Sequence, residues 1–194
     1  MAEIEGLVRA LREGDDAAKT AAANALGTLA YDDDANIVLI AEAGGIAPLV
    51  ELVHDGSAEA KVQAAQALRN LAFNDANKVL IAEAGGIPPL VKLLRDGSSD
   101  AKQLAACALR DLAHNDDANA VAIAAAAGFE ALVELARRGR VTVDYWSLVH
   151  DAGIAAKRKA ALVVAALIRD CVPVKVRNQT WVRYLIRSVI GPYL

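Results

Sequence analysis

The chain has 194 residues, 55% of them hydrophobic and only 4% aromatic, with a formal net charge of −3. That much apolar material supports a sizeable buried core, and the scarcity of aromatics fits thin helical layers better than one deep core. No apolar run reaches the roughly 18 residues that a membrane span needs, and the acidic start MAEIEGLVRAL lacks the basic region of a secretory signal. The two cysteines, Cys107 and Cys171, form neither a disulfide framework nor a metal pattern, so the expected compartment is the reducing cytoplasm, with the nucleus open.

Along the chain the dominant signal is self-similarity. Residues 4–30 (IEGLVRALREGDDAAKTAAANALGTLA) are followed by AEAGGIAPLVELVHDGSAEAKVQAAQALRNLAF over 41–73. The latter returns 41 residues later as AEAGGIPPLVKLLRDGSSDAKQLAACALRDLAH over 82–114. A last copy begins AAGFEALVELARRG (126–139) and resumes as DAGIAAKRKAALVVAALIRDC (151–171). Leu7, Leu49, Leu90 and Leu132 are spaced by 42, 41 and 42 residues, and the one-residue differences fall in the loops YDDDAN, FNDAN and HNDDAN. A period of this size means stacked units with one continuous core.

Within the unit ending at His114, Asn77 reads as the N-cap of a short helix, as do Asn36 and Asn119 in their units. Gly85-Gly86 stops that helix, and Ile87-Pro88-Pro89 opens a second one that stops at Gly97. Ser98 or Ser99 caps a third, longer helix, whose apolar positions Leu104, Ala105, Ala108, Leu109 and Leu112 follow the helical period. Each unit is therefore expected to be a short, a medium and a long helix, with no strand. The first unit starts at its second helix, which leaves self-association at that uncapped end open.

Three helices in about 42 residues, with AGGIPPLVKLL followed by AAxALRxLAxND, resemble the armadillo repeat, in the style of plant and protist armadillo proteins associated with U-box ubiquitin ligases and vacuolar scaffolds. The resemblance implies an all-α, right-handed solenoid. Armadillo repeats are expected over 1–138, and a divergent final repeat over 139–194, with an insertion (GRVTVDYWSLVH) and a basic, aromatic cap helix. It also implies a concave groove, lined by the third helices, that takes an extended peptide. The family sets an Asn late in that helix. Asn70 in ALRNLA matches, while Thr28, Asp111 and Ala166 stand at the equivalent positions. The Trp of nuclear-import receptors, four residues earlier, is replaced by Asn24, Gln66, Cys107 and Leu162, which argues against that role.

Spacing alone leads to the same face. Residues at i, i+4 and i+8 share one stripe of a helix, which places Thr20/Asn24/Thr28, Val62/Gln66/Asn70 and Gln103/Cys107/Asp111 together. Amides and hydroxyls suit hydrogen bonding to a peptide main chain, and Arg69 and Arg110 add charge beside them. The candidate peptide-binding set is thus Asn70, Gln66, Arg69, Arg110, Asp111, Thr28, Asn24 and Gln103. The competing reading is a merely solvated face.

No catalytic or metal set emerges. His54, His114 and His150 lie far apart without ligand companions, no serine sits in a nucleophile elbow, and the AGG pairs are helix stops rather than phosphate loops. Neither a cofactor nor a small-molecule substrate is expected. Charge is divided unevenly: residues 1–136 hold 10 Lys and Arg against 21 Asp and Glu, a net of −11, whereas residues 137–194 hold 11 against 3, a net of +8. The segment NQTWVRYLIRSVI (178–190) places Trp181, Leu185 and Val189 on one stripe, which reads as a cap over the solenoid end. The absence of an RNA-binding signature argues against nucleic acid. Taken together, the sequence points to a non-enzymatic protein-interaction scaffold. Two alternatives remain: the substrate-recognition part of a ubiquitin ligase assembly, and a basic C-terminal end that binds an acidic partner, RNA or anionic lipid.

Overall fold

A computed structural model of the chain describes residues 1–114 and 116–126, and among them every regular element is an α-helix. The expected final repeat over 139–194, its insertion and its basic cap helix lie outside the described residues. The helices are α1 (Ala2–Glu13), α2 (Asp16–Asp32), α3 (Asp34–Glu42), α4 (Ile46–Asp55), α5 (Ala58–Leu71), α6 (Asp75–Glu83), α7 (Ile87–Asp96), α8 (Ser99–Ala113) and α9 (Asp117–Ala125). α3–α5 and α6–α8 are two successive units. The first and second helices differ less than their sequences suggest, at 9 and 10 residues, while α5 and α8 run to 14 and 15.

Helix starts follow the side chains that can accept from orphan backbone donors. Ser57 and Ser98 accept from Ala60 N and Ala101 N and so open α5 and α8. Asp33 opens α3 and Asn74 opens α6, with Asp116 in the same role before α9. This corrects the reading of Asn36, Asn77 and Asn119 as caps. All three lie within the helix, and their amides reach elsewhere. The Asn77 Nδ2 donates to Leu71 O and to Ile37 O, both at 3.2 Å. Asn119 repeats the pattern one unit on, donating to Leu112 O at 3.1 Å and Lys78 O at 3.3 Å. Asn36 donates to Leu29 O. Each of these side chains ties the first helix of a unit to the end of the preceding third helix, and Asn77 and Asn119 also tie it to the first helix before it.

The turn after each first helix is set by a glycine pair whose members do different things. Gly44 and Gly85 take φ of +73° and +76°, a region that residues with a Cβ rarely enter. Gly86 has ordinary φ, but a Cβ there would come within 2.9 Å of Ile81 O. The outcome is a sharp corner, with α3 and α4 meeting at 83°. No single helix among the described residues is long and apolar enough to cross a membrane.

The core runs without a break through the described units. The third helices α2, α5 and α8 pack side by side on alanines, including Ala22, Ala23, Ala64, Ala67, Ala105 and Ala108. The small side chains let the helices approach closely, and Leu26, Leu68 and Leu109 fill the space behind them, wholly buried. Second helices contribute Leu49, Val53, Leu90 and Leu94. Lys78 is buried as well, with its Nζ on Asp75 Oδ1 at 2.7 Å and on His114 O at 2.8 Å. That hydrogen bond, with the Lys78 charge, holds the Asp75 carboxyl below its ordinary value. The pair therefore contributes stability above the ordinary carboxylate pKa and loses it as the pH falls through the lowered one.

Two expected outcomes follow. Leu68→Ala or Leu109→Ala should cost about 2–5 kcal/mol in urea unfolding, the range for a core leucine left as a cavity. Asn77→Ala should cost about 1–3 kcal/mol, because it removes two buried hydrogen bonds between helices, and should exceed the loss from Asn74→Ala measured in the same way.

Candidate functional site

On the exposed face of the third helices, uncharged polar side chains recur along the alanine-rich layers described above. Asn24 and Thr28 on α2 and Gln103 on α8 are exposed, and Gln66 on α5 is half-buried. Thr28 donates its hydroxyl to Asn24 O at 3.1 Å, and Thr20 donates to Asp16 O at 2.6 Å. With their protons held within the helix, these hydroxyls face solvent as acceptors.

Asn70 does not stand free in this row. It is 3% exposed, and its Nδ2 donates to Gly27 O, one unit back, at 2.8 Å. The carbonyl of Gly27 lies inside α2, where the close approach of α5 puts it within reach. The amide expected to meet a peptide thus has an N–H committed to joining two units. Asp111, one unit further on, is also buried, with a side chain only 11% exposed. Its Oδ2 accepts from Arg69 Nε at 3.4 Å and its Oδ1 from Arg110 Nε at 2.8 Å. The carboxylate is clamped between a guanidinium of the previous unit and one of its own, so this cluster carries a net positive charge. Cys107, on the same stripe, is a half-exposed free thiol.

What the sequence stripe missed lies one residue around the helix. Between the N-terminal halves of α2 and α5 an open hollow of about 410 Å³ is lined by Asp16, Thr20, Asn24, Ser57, Glu59 and Gln63. Gln63 and Glu59 occupy i and i−4 on the stripe neighbouring that of Val62, so the spacing itself carries this signal. The face is therefore electrically divided. Asp16, Glu59 and Asp100 mark the N-terminal ends of the third helices, while Arg69 and Arg110 mark the C-terminal ends.

Two other hollows, of about 280 and 360 Å³, repeat one another at the repeat period. Val53, Lys61, Pro89, Leu93 and Gly97 line one, and Leu11, Lys19, Pro48, Leu52 and Gly56 the other. Their recurrence marks them as seams between second helices, not as a dedicated pocket. Among the described residues no group of three His, Cys, Asp or Glu side chains is placed to hold a metal ion. His54 sits in the last turn of α4 and pairs with its exposed neighbour Asp55.

These features define an α-solenoid with a polar strip along its third helices. The model of the armadillo/beta-catenin-like repeat matches residues 33–73 and 74–114, segments that begin at the caps Asp33 and Asn74. Residues 33–114 of the chain are two armadillo/beta-catenin-like repeats. Among solved structures it resembles an engineered protein, with 29% identity and a TM-score of 0.74 over 89% of this chain and 74% of that one. A computationally designed armadillo repeat protein for modular peptide recognition matches with 25% identity and a TM-score of 0.64, over 96% of this chain and 71% of that one. A designed armadillo repeat protein in complex with a (KR)4 peptide shares the fold, at 23% identity and a TM-score of 0.74 over 98% and 82% of the two chains. No curated protein matches the chain.

The commitment of Asn70 yields an expected outcome. Asn70→Ala should lower folding stability by about 0.5–1.5 kcal/mol, since it removes the buried hydrogen bond to Gly27 O that joins two units. Thermal unfolding of the purified variant, with no ligand present, checks this.

Proposed function

We propose that this protein is a non-enzymatic interaction scaffold that lays an extended, basic-rich peptide segment along its third helices. The observation that carries the reading is the hollow between α2 and α5. There, Asn24 and Gln63 offer amide donors and acceptors, with Asp16 and Glu59 at the edge. A peptide main chain presents alternating N–H and C=O groups, and an amide side chain can answer both at once. The carboxylates favour lysine or arginine side chains on the ligand, with a gain that added salt screens. Peptide recognition by a designed armadillo repeat protein of similar sequence supports the reading. Asn70 and Asp111 serve in it as the floor that keeps units in register, while Asn24, Gln63, Gln66 and Gln103 do the touching.

The test is fluorescence anisotropy with dye-labelled (KR)4 and (ED)4 peptides. The basic peptide should bind more tightly, and the preference should shrink as salt rises. The double variant Asn24→Ala, Gln63→Ala removes one exposed and one half-buried amide, neither in the core, and should leave the melting temperature nearly unchanged. Its affinity for the basic peptide should fall roughly 10- to 100-fold, the effect of losing about two hydrogen bonds. Equal binding of both peptides, or an unchanged affinity in the variant, would reject this face as the site.

A further inference from the structure

The exposed large apolar side chains are not scattered. Apart from Met1, all those among the described residues lie on first helices or within three residues before one: Tyr31, Val38, Phe73, Val79, Leu80 and Val121. Tyr31 and Phe73 are 78% and 64% exposed, and the four aliphatic residues 40–48%. Single exposed apolar residues are ordinary, but a set confined to one kind of element and repeated at the unit period is not. Val38, Val79 and Val121 recur at intervals of 41 and 42 residues. The asparagine bonds align them. Asn77 holds the carbonyl of Ile37 and Asn119 that of Lys78, and each of those residues immediately precedes a valine of the row. The ridge is separate from the polar strip, and the peptide reading makes no use of it.

The charges around the ridge say what it would accept. The exposed ionised side chains of α3 and α6 are Asp34, Glu42, Asp75 and Glu83, with Asp33 at the α3 cap. Lys78, the one cation on these two helices, is buried and spent on Asp75 and His114 O. An apolar row edged by carboxylates complements an apolar row edged by lysine or arginine. Spacing selects the partner's form. Helices packed side by side stand about 8–10 Å apart, and same-face residues seven apart on an α-helix are separated by about 10.5 Å. We infer that the first-helix ridge is a second docking surface, and that its occupant is a basic amphipathic α-helix of a partner protein, laid across α3 and α6. Its apolar stripe covers Val38, Val79 and Leu80, while its basic flanks face Asp34, Glu42 and Glu83.

The experiment uses the full chain and two dye-labelled 18-residue helical probes, one of leucine and lysine and one of leucine and glutamate, each with one apolar stripe. The lysine probe should bind, with the glutamate probe weaker by roughly tenfold or more. The variant Val79→Lys, Leu80→Lys alters only exposed side chains and should keep its circular dichroism and melting temperature, yet weaken the lysine probe by roughly tenfold or more. Val38→Lys, in a different unit, gives the same reading should the double variant fail to fold. The groove variant Asn24→Ala, Gln63→Ala should bind this probe like wild type, which separates failure here from failure of the peptide site. Three results would each overturn the proposal: equal affinity for the two probes, unchanged affinity in the ridge variants, or loss of the probe in the groove variant. Sedimentation adds a fourth, since self-association of the wild type abolished by the ridge substitutions would assign the surface to a second copy of the chain.

Discussion

The structure depends on one repeated interaction, the asparagine amide that reaches from a first helix back into the preceding unit. Asn77 bridges Leu71 O and Ile37 O, and Asn119 bridges Leu112 O and Lys78 O. The carbonyls served at Leu71 and Leu112 lie in the last turns of α5 and α8, beyond the reach of regular i+4 helical donors; at Leu71 the Asn74 backbone N–H also donates, at 3.3 Å. A helix end buried with too few partners is costly, and here the next unit supplies a further donor. Apolar burial provides most of the free energy of stacking, but it is indifferent to small slides of one layer on another. A two-way hydrogen bond from one amide is not. Register between units therefore rests on these polar side chains, which are among the few buried in the core.

The same logic explains why the polar strip on the third helices is only partly available to a ligand. Alanine-lined helices approach so closely that a long polar side chain near the seam finds the backbone of its neighbour. Asn70 does so with Gly27 O. Asp111 cannot donate, and instead draws Arg69 and Arg110 onto itself. Residues further from the seam, such as Asn24 and Gln103, keep their solvent-facing positions. At Asn70 and Asp111 the position marked by residue type as a binding group is thus a joint between units, whereas Thr28 bonds within its own helix.

A solenoid built in this way presents several faces of different chemistry. The third helices carry amides and acidic ends, and the first helices carry an apolar ridge edged with carboxylates. Because each unit touches only its neighbours, side chains on one face can change without disturbing the core that serves the other. Two ligands of different form, one extended and one helical, can in principle be held on the same few units.

Much of this was legible in the chain itself. The 41–42-residue recurrence of AGGIxPLV and ALRxLA specified stacked three-helix units, because no unit alone can bury the apolar faces those patterns create. The glycine pairs marked their turns correctly, since positive φ at Gly44 and Gly85 is a local demand that sequence carries openly. The burial of Leu109 and Leu112 followed from helical period alone. What sequence could not decide was the destination of each polar group. An asparagine early in a helix reads as a cap from local spacing, yet Asn77 leaves capping to Asn74 and bonds a carbonyl 40 residues away. Asn70 reads as a ligand contact and is instead buried against Gly27. Helix period and glycine conformation are settled within a few residues, whereas the partner of an amide is settled by which backbone the packing of distant layers brings within 3 Å or so.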